Sequence, residues 1–333
     1  MIDLSGLGLG AVDLGLSAAG VMAVLILGGL ALLAFGGDAV VRGGVGLARV
    51  MRVSPVIIGV VLLGFGTSMP ELVTSVQAAL SGSEGIALGN VVGSNLSNLL
   101  LITGVAAAFF TAQVARVSIL RDGFFMLAST SALIWLMFED RIDRVTGGAL
   151  LAALACYLVV AVATERKTEP DDQEAPASAL VAGVLFLIGI AATVLGARFL
   201  VDGGVQLAAT LGAEESLIGL TVIAVGTSLP ELAATIAAAL RGRSDLAIGN
   251  VIGSNVFNVC AIVGVTALIA PIPAPPELLT FDVWAMLAAS VLMLAMAWAK
   301  GGLSRAEGLV LLLCYVLYLG VTIATSPWGG ATL

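Results

Sequence analysis

Gly66-Thr67-Ser68-Met69-Pro70-Glu71-Leu72 lies inside a long apolar run, and the chain repeats it as Gly226-Thr227-Ser228-Leu229-Pro230-Glu231-Leu232. Each copy puts a proline and a carboxylate where a membrane helix ordinarily carries neither. A second motif follows each copy: Gly89-Asn90-Val91-Val92-Gly93-Ser94-Asn95-Leu96-Ser97-Asn98, and Gly249-Asn250-Val251-Ile252-Gly253-Ser254-Asn255-Val256-Phe257-Asn258. Every matching position is offset by 160 residues without a gap, so the chain is an internal duplication.

Composition sets the class. Of 333 residues, 59% are hydrophobic and only 11% charged, whereas a soluble domain has roughly 25% charged residues. The mean hydropathy is +1.12. The reading is an all-α polytopic membrane protein. A net charge of −8 leaves no basic footprint for nucleic acid, and no obligate protein partner is evident. The absence of histidine removes His-ligated metal sites and His acid–base catalysis. Cys156, Cys260 and Cys314 sit in apolar runs and read as packing residues, not as a disulfide framework. Met1-Ile2-Asp3 lacks the basic region of a cleavable signal peptide, so the first span is expected to be retained.

A membrane-crossing helix needs about 20 mostly apolar residues. That rule gives ten spans: 15–36, 54–80, 85–110, 119–138 and 145–164, then 178–200, 215–240, 245–270, 280–299 and 305–325. The first half is 1–164, the second 178–333, and the polar stretch 165–177 links them. With ten spans, eleven of the fourteen Lys and Arg residues fall on one face, and only Arg141, Arg144 and Arg198 on the other. The positive-inside rule then puts the 165–177 loop in the cytoplasm and both termini outside a cell (inner) membrane. The acidic part of that loop reads as a solvated connection. Two similar halves with five spans each must enter the membrane from opposite sides, which is the inverted-repeat plan of secondary transporters. Asp38 and Arg42 match Arg198 and Asp202 with the charges exchanged, and these i, i+4 pairs are expected to be interfacial ion pairs.

Pro70 and Pro230 each remove a backbone hydrogen bond and are expected to break spans two and seven near mid-membrane. Freed carbonyls are tolerated at that depth only where they face protein or a water-filled cavity. Thr67 and Glu71 are four apart and share a face if the turn is near helical. Asn90, Ser94 and Asn98 form an i, i+4, i+8 polar stripe, repeated as Asn250, Ser254 and Asn258. Asn95 and Asn255 fall off that stripe and suit helix packing equally well. Gly89 and Gly93, like Gly249 and Gly253, allow close helix approach, although that spacing is common in membrane helices. Folding the halves together brings Glu71 and Glu231 to one central site ringed by hydroxyl, amide and backbone oxygens. Such a set suits Ca²⁺, Na⁺, Mg²⁺ or Mn²⁺, not zinc or copper. Two carboxylates buried together cannot both stay ionised without a cation, so an emptied site takes up protons or Na⁺. A single intramembrane glutamate has the alternative role of an interhelical hydrogen-bonding residue; the duplication argues for function.

At these residues the sequence resembles the cation/Ca²⁺ antiporter superfamily, specifically its sodium/calcium exchanger type, whose α-repeats read G-T-S-[LM]-P-E-L and G-N-[VI]-[VI]-G-S-N-x-x-N. The resemblance implies a five-plus-five helix fold, with alternating access by sliding of the first and sixth helices. It implies Glu71 and Glu231 as central Ca²⁺ ligands, with oxygens from Thr67, Ser68, Thr227 and Ser228. Ser94, Asn98, Ser254 and Asn258 would complete Na⁺ sites, with Asn90 and Asn250 on the same stripe. No cofactor is implied; Ca²⁺ and Na⁺ are the transported ions. Many prokaryotic members carry Asp where this chain has Asn258, so this site holds two formal negative charges, not three. Proton-coupled relatives carry a Glu near Ser94 and Ser254, and its absence here favours Na⁺. The alternatives are a Ca²⁺ (or other divalent)/H⁺ antiporter on the same fold, and a cation channel, against which the inverted repeat argues. An intramembrane enzyme has no nucleophile–base pair to work with.

Overall fold

The computed structural model describes residues 2–3, 11–12, 17–53, 55–110, 112–113, 116–139, 141–164, 178–210, 224–274 and 276–325. The 165–177 linker and the first part of the seventh expected span, 215–223, lie outside the described residues. The described chain is almost wholly helical: α1 (Ala18–Met51), α2 (Gly59–Thr67), α3 (Met69–Leu80), α4 (Gly85–Phe109), α5 (Arg116–Leu136), α6 (Arg144–Thr164), α7 (Ala179–Thr210), α8 (Leu229–Leu240), α9 (Ser244–Ile269), α10 (Asp282–Lys300) and α11 (Arg305–Thr325). Eight of these are long and apolar enough to cross a membrane, or nine if the bent pair α2–α3 is one span; α8 is a shorter apolar helix.

The first helix departs from the expected 15–36. It starts at an N-cap, where Ser17 Oγ accepts from Gly20 N at 3.2 Å, and runs to Met51, ending in Arg52 at φ 56°. Hydropathy stops at the charges of Asp38 and Arg42. The helix continues past them because Asp38 is paired: its Oδ1 accepts from Arg241 Nε at 2.7 Å, beyond the end of α8. Arg42, the expected i, i+4 partner, is at 3.9 Å.

Antiparallel packing of α1 on α7 is the most extensive helix–helix contact among the described residues. Glycines spaced by seven, at 29, 36 and 43 on α1 and at 189, 196 and 203 on α7, form its seam. A Cβ on Gly36 would sit 2.7 Å from Thr193 N, and one on Gly196 would sit 2.8 Å from Gly29 O. Only glycine lets the backbones come this near.

The centre belongs to α4 and α9, of which 78% and 83% is buried, against 17% for α11 and 22% for α6. The outer helices turn Leu, Val and Phe outward, as a lipid-facing surface requires. Packing is reciprocal between the halves: the end of α4 lies on α11, and the end of α9 lies on α6. Two short antiparallel ladders repeat the exchange, Ala112–Gln113 with Gly302–Leu303 and Arg141–Ile142 with Ile272–Pro273. Asp143 caps α6, accepting from Thr146 N at 2.9 Å and Thr146 Oγ1 at 2.8 Å. These hydrogen bonds hold its carboxyl below the usual range.

Candidate functional site

Each signature motif forms a break followed by a fresh helix. Ser68 (φ −83°, ψ 7°) and Ser228 (φ −88°, ψ 6°) sit in the bridge region between helical segments. The chain bends by 48° between α2 and α3. Pro70 and Pro230 fall in the first turn of α3 and α8, where a missing N–H costs nothing. Glu71 and Glu231 therefore lie in the first turn of their helices. There the unsatisfied N–H groups and the helix dipole favour negative charge.

The two carboxylates come together. Both are fully buried and lie close enough to repel one another directly. Ser68, from the first half, donates its Oγ to Glu231 Oε1 at 3.0 Å. The reverse bond does not form: both carboxylate oxygens of Glu71 and the hydroxyl of Ser228 have no partner, and neither does Glu231 Oε2. Thr67 is buried, and its hydroxyl donates to Leu63 O at 2.9 Å; across the bend, Ser68 N still donates to Gly64 O and Leu72 N to Ser68 O. Thr227 lines an adjoining cavity.

The polar stripes divide by role. Asn90 Nδ2 donates to Glu71 O at 3.1 Å and Ser75 Oγ at 3.0 Å. Asn250 does the same in the second half, to Glu231 O at 3.4 Å and Thr235 Oγ1 at 3.0 Å. These asparagines brace the turn that carries each glutamate. Ser75 and Thr235, also 160 apart, are partners that no motif singled out; their only sequence signal was that offset. Ser94 and Ser254 are buried, and Ser254 Oγ is unpartnered. Asn98 and Asn258 sit in π-helical segments, Ser97–Ile102 and Asn258–Val263, a distortion frequent at functional sites. Each segment packs against the glutamate-bearing helix of the other half, Ser97–Ile102 on α8 and Asn258–Val263 on α3. Both polar atoms of Asn98, and Asn258 Oδ1, lack partners.

The glycines of the second motif behave as expected at Gly253, where a Cβ would meet Val60 O at 2.5 Å. The position matching Val60 in the second half, residue 220, lies outside the described residues, so Gly93 is left without that comparison.

Access is unequal at the two ends. On one side α1 packs along α8, with Gly37 so near that a Cβ would meet Ala233 O at 2.6 Å. On the other, α7 is parted from α3 by a cavity of about 330 Å³, lined by Pro70, Thr74, Gln77, Arg198, Asp202, Thr227 and Pro230, among others. The antiparallel seam sets Asp38 near the level of Ile190 and Arg198 near that of Gly29. The closed contact and the cavity are thus about nine residues, or ~13 Å, apart along the helix axis.

The carboxylate, hydroxyl and amide oxygens here are buried and largely unpartnered, and oxygen donors are the kind that hard cations take. The family described as sodium/calcium exchanger protein matches residues 21–163 and again residues 181–324. The inner membrane protein YrbG of Escherichia coli is 31% identical over 319 residues, covering 91% of this chain and 97% of that protein. The sodium/calcium exchanger MaX1 of Methanosarcina acetivorans is 30% identical over 340 residues, covering 90% and 97%. Among solved structures, the sodium-calcium exchanger NCX_Mj soaked with 10 mM Na⁺ and no Ca²⁺ superposes with a TM-score of 0.77 at 30% identity, over 90% of this chain and 98% of that one.

Proposed function

The chain belongs to the sodium/calcium exchanger protein family and is an integral membrane antiporter; from that premise we propose that it exchanges Ca²⁺ for Na⁺ at the buried pair Glu71 and Glu231. Ca²⁺ binds between the carboxylates, with oxygens from Ser68, Ser228, Thr67 and Thr227 around it. Na⁺ takes the flanking oxygens of Ser94, Asn98, Ser254 and Asn258, while Asn90 and Asn250 hold the turns. Na⁺ entering down its gradient neutralises the glutamates and releases Ca²⁺ to the opposite face. The observation that carries this reading is the juxtaposition of two buried carboxylates whose oxygens mostly have no protein partner. An uncompensated pair of that kind is too costly to keep without a cation.

The reading includes ten spans as two inverted five-helix repeats, with both termini outside a cell membrane and 165–177 inside. The ladders support the alternation. Ala112 pairs with Leu303, and Ile142 with Ile272, and each pair joins loops that ten alternating spans put on the same face. The cavity beside Pro70 and Pro230 then faces outward, and the α1–α8 contact closes the inward route. Exchange follows when α1 and α7 slide together against the rest.

A Ca²⁺/H⁺ antiporter is the second reading, favoured by the pairing of just two acids, which two protons neutralise as well as two Na⁺ do. Vesicles holding the purified protein decide between them. Ca²⁺ uptake driven by an imposed Na⁺ gradient at equal pH supports Na⁺ coupling. Uptake driven only by a pH gradient supports the second reading, and uptake indifferent to both would point to a channel.

A further inference from the structure

The two halves exchange one pair of charges, and the function above gives that exchange no part. Asp38 and Arg42 on α1 match Arg198 and Asp202 on α7. Asp38 stands at the closed end, where it accepts from Arg241 Nε at 2.7 Å. Arg198 stands at the open end, in the wall of the cavity of about 330 Å³, together with Asp202, Pro70 and Pro230. Among the described lining residues, Arg198 is the one positive charge and Asp202 the one negative.

The depth of each charge decides what it does to an ion. Asp38 and Arg198 are ~13 Å apart along the helix axis, so each stands ~7 Å, little more than one turn, from the level midway between them. Because the halves are duplicates, Glu71 and Glu231 straddle that midway level, and their sequence neighbours Pro70 and Pro230 line the cavity. Asp202 lies one turn beyond Arg198 on the same helix, ~6 Å farther from the glutamates. An ion entering from the mouth passes the carboxylate first and the guanidinium last. In a cleft with low-dielectric walls, such a charge acts on the ion more strongly than it would in open water.

We propose that Arg198 is a specificity-determining residue whose positive charge weakens binding of Ca²⁺ from the cavity end more than binding of Na⁺, so that the cavity end is the end suited to Ca²⁺ release. The proposal rests on the antiporter reading. The interaction energy with Arg198 is proportional to the charge of the ion, so a divalent ion loses the square of the factor that a monovalent ion loses. At the other end the matched side chain is the carboxylate of Asp38. When that end opens, Asp38 parts from Arg241 and presents a negative charge to the entering ion, which suits uptake.

The test uses the full chain purified in detergent, with Ca²⁺ and Na⁺ binding titrated separately by calorimetry. Arg198→Gln should lower the Kd for Ca²⁺ about tenfold and that for Na⁺ about threefold, the scale of one partly screened charge ~10 Å away. Arg198→Lys keeps the charge and should keep both constants near those of the parent chain. Asp202→Asn removes the opposing charge and should raise both, again more for Ca²⁺. Choline chloride at about 1 M, where the screening length falls to ~3 Å, should shrink every one of these differences. A folded Arg198→Gln chain with unchanged constants would overturn the proposal. So would equal factors for the two ions, or differences that salt leaves untouched, which is how a merely structural arginine would behave. Those results leave the antiporter reading standing; a parent chain that binds neither ion would remove both.

Discussion

Glu71 and Glu231 are matched in sequence and unequal in surroundings. Glu231 accepts from Ser68 at 3.0 Å, while both oxygens of Glu71 and the hydroxyl of Ser228 are unpartnered. Glu71→Gln and Glu231→Gln keep the side-chain shape and remove the charge, so each should abolish Ca²⁺ flux while the purified variant elutes as a folded protein. Persistent exchange in either would dismiss the pair as the site. Ser68→Ala should raise the KM for Ca²⁺ roughly tenfold, because hydrogen bonds to charged groups contribute about 1.5–3 kcal/mol; Ser228→Ala should raise it less. Flux titrations on the two variants side by side read the difference, and equal effects would contradict the asymmetry. The identity of these residues was legible from the 160-residue offset alone. The contacts of Asn95 with Asn255 and Asn258 and the braces at Ser75 and Thr235 were not, because each bond joins residues on different helices, 160 or 163 apart for Asn95 and 15 apart for the braces.

At the scale of the elements, most helices were readable because lipid demands long apolar runs. Two were cut short: α7, expected to end at 200 although it reaches Thr210, and α1, cut at 36 by its charges although it reaches Met51. At 34 residues it is about 51 Å long, well beyond the ~30 Å hydrocarbon layer. The glycine seam along it was also in plain view in the sequence, spaced by seven on both helices, but only the packing gives that spacing a meaning. Gly36→Val should destabilise the protein, since any Cβ there meets Thr193 N at 2.7 Å, a backbone atom that cannot turn aside. Overpacking of this kind costs about 1–3 kcal/mol. Gly183→Ala, on α7, meets nothing within 4 Å among the described residues and serves as the control. Thermal unfolding in detergent should fall for the first and hold for the second; matching midpoints would argue that the seam can part freely.

The whole molecule breaks the symmetry its sequence announces. Two halves related by a constant offset could pack identically at both ends, yet one end is closed by α1 on α8 and the other holds a cavity of about 330 Å³. Asp38 and Arg241 pair at the closed end. The residue matching Arg241 in the first half is Ser81, which cannot form that pair at the end where the cavity lies. On the proposed alternating-access reading the duplication supplies two gates, and divergence gives the closed one, inward in that reading, a charged latch. Asp38 keeps 42% of its side-chain surface exposed and Arg241 keeps 28%, so solvent screening limits the latch to about 0.3–1 kcal/mol. Asp38→Asn should therefore shift the balance toward the inward-open state by only about two- to fivefold. A cysteine at Ala237, which faces Gly37 across the closed gate, reports it in a background lacking Cys156, Cys260 and Cys314. Labelling by a membrane-impermeant thiol reagent from the Arg241 side should speed up by that factor in Asp38→Asn. An unchanged rate would mean that helix packing alone, without the ion pair, holds the gate.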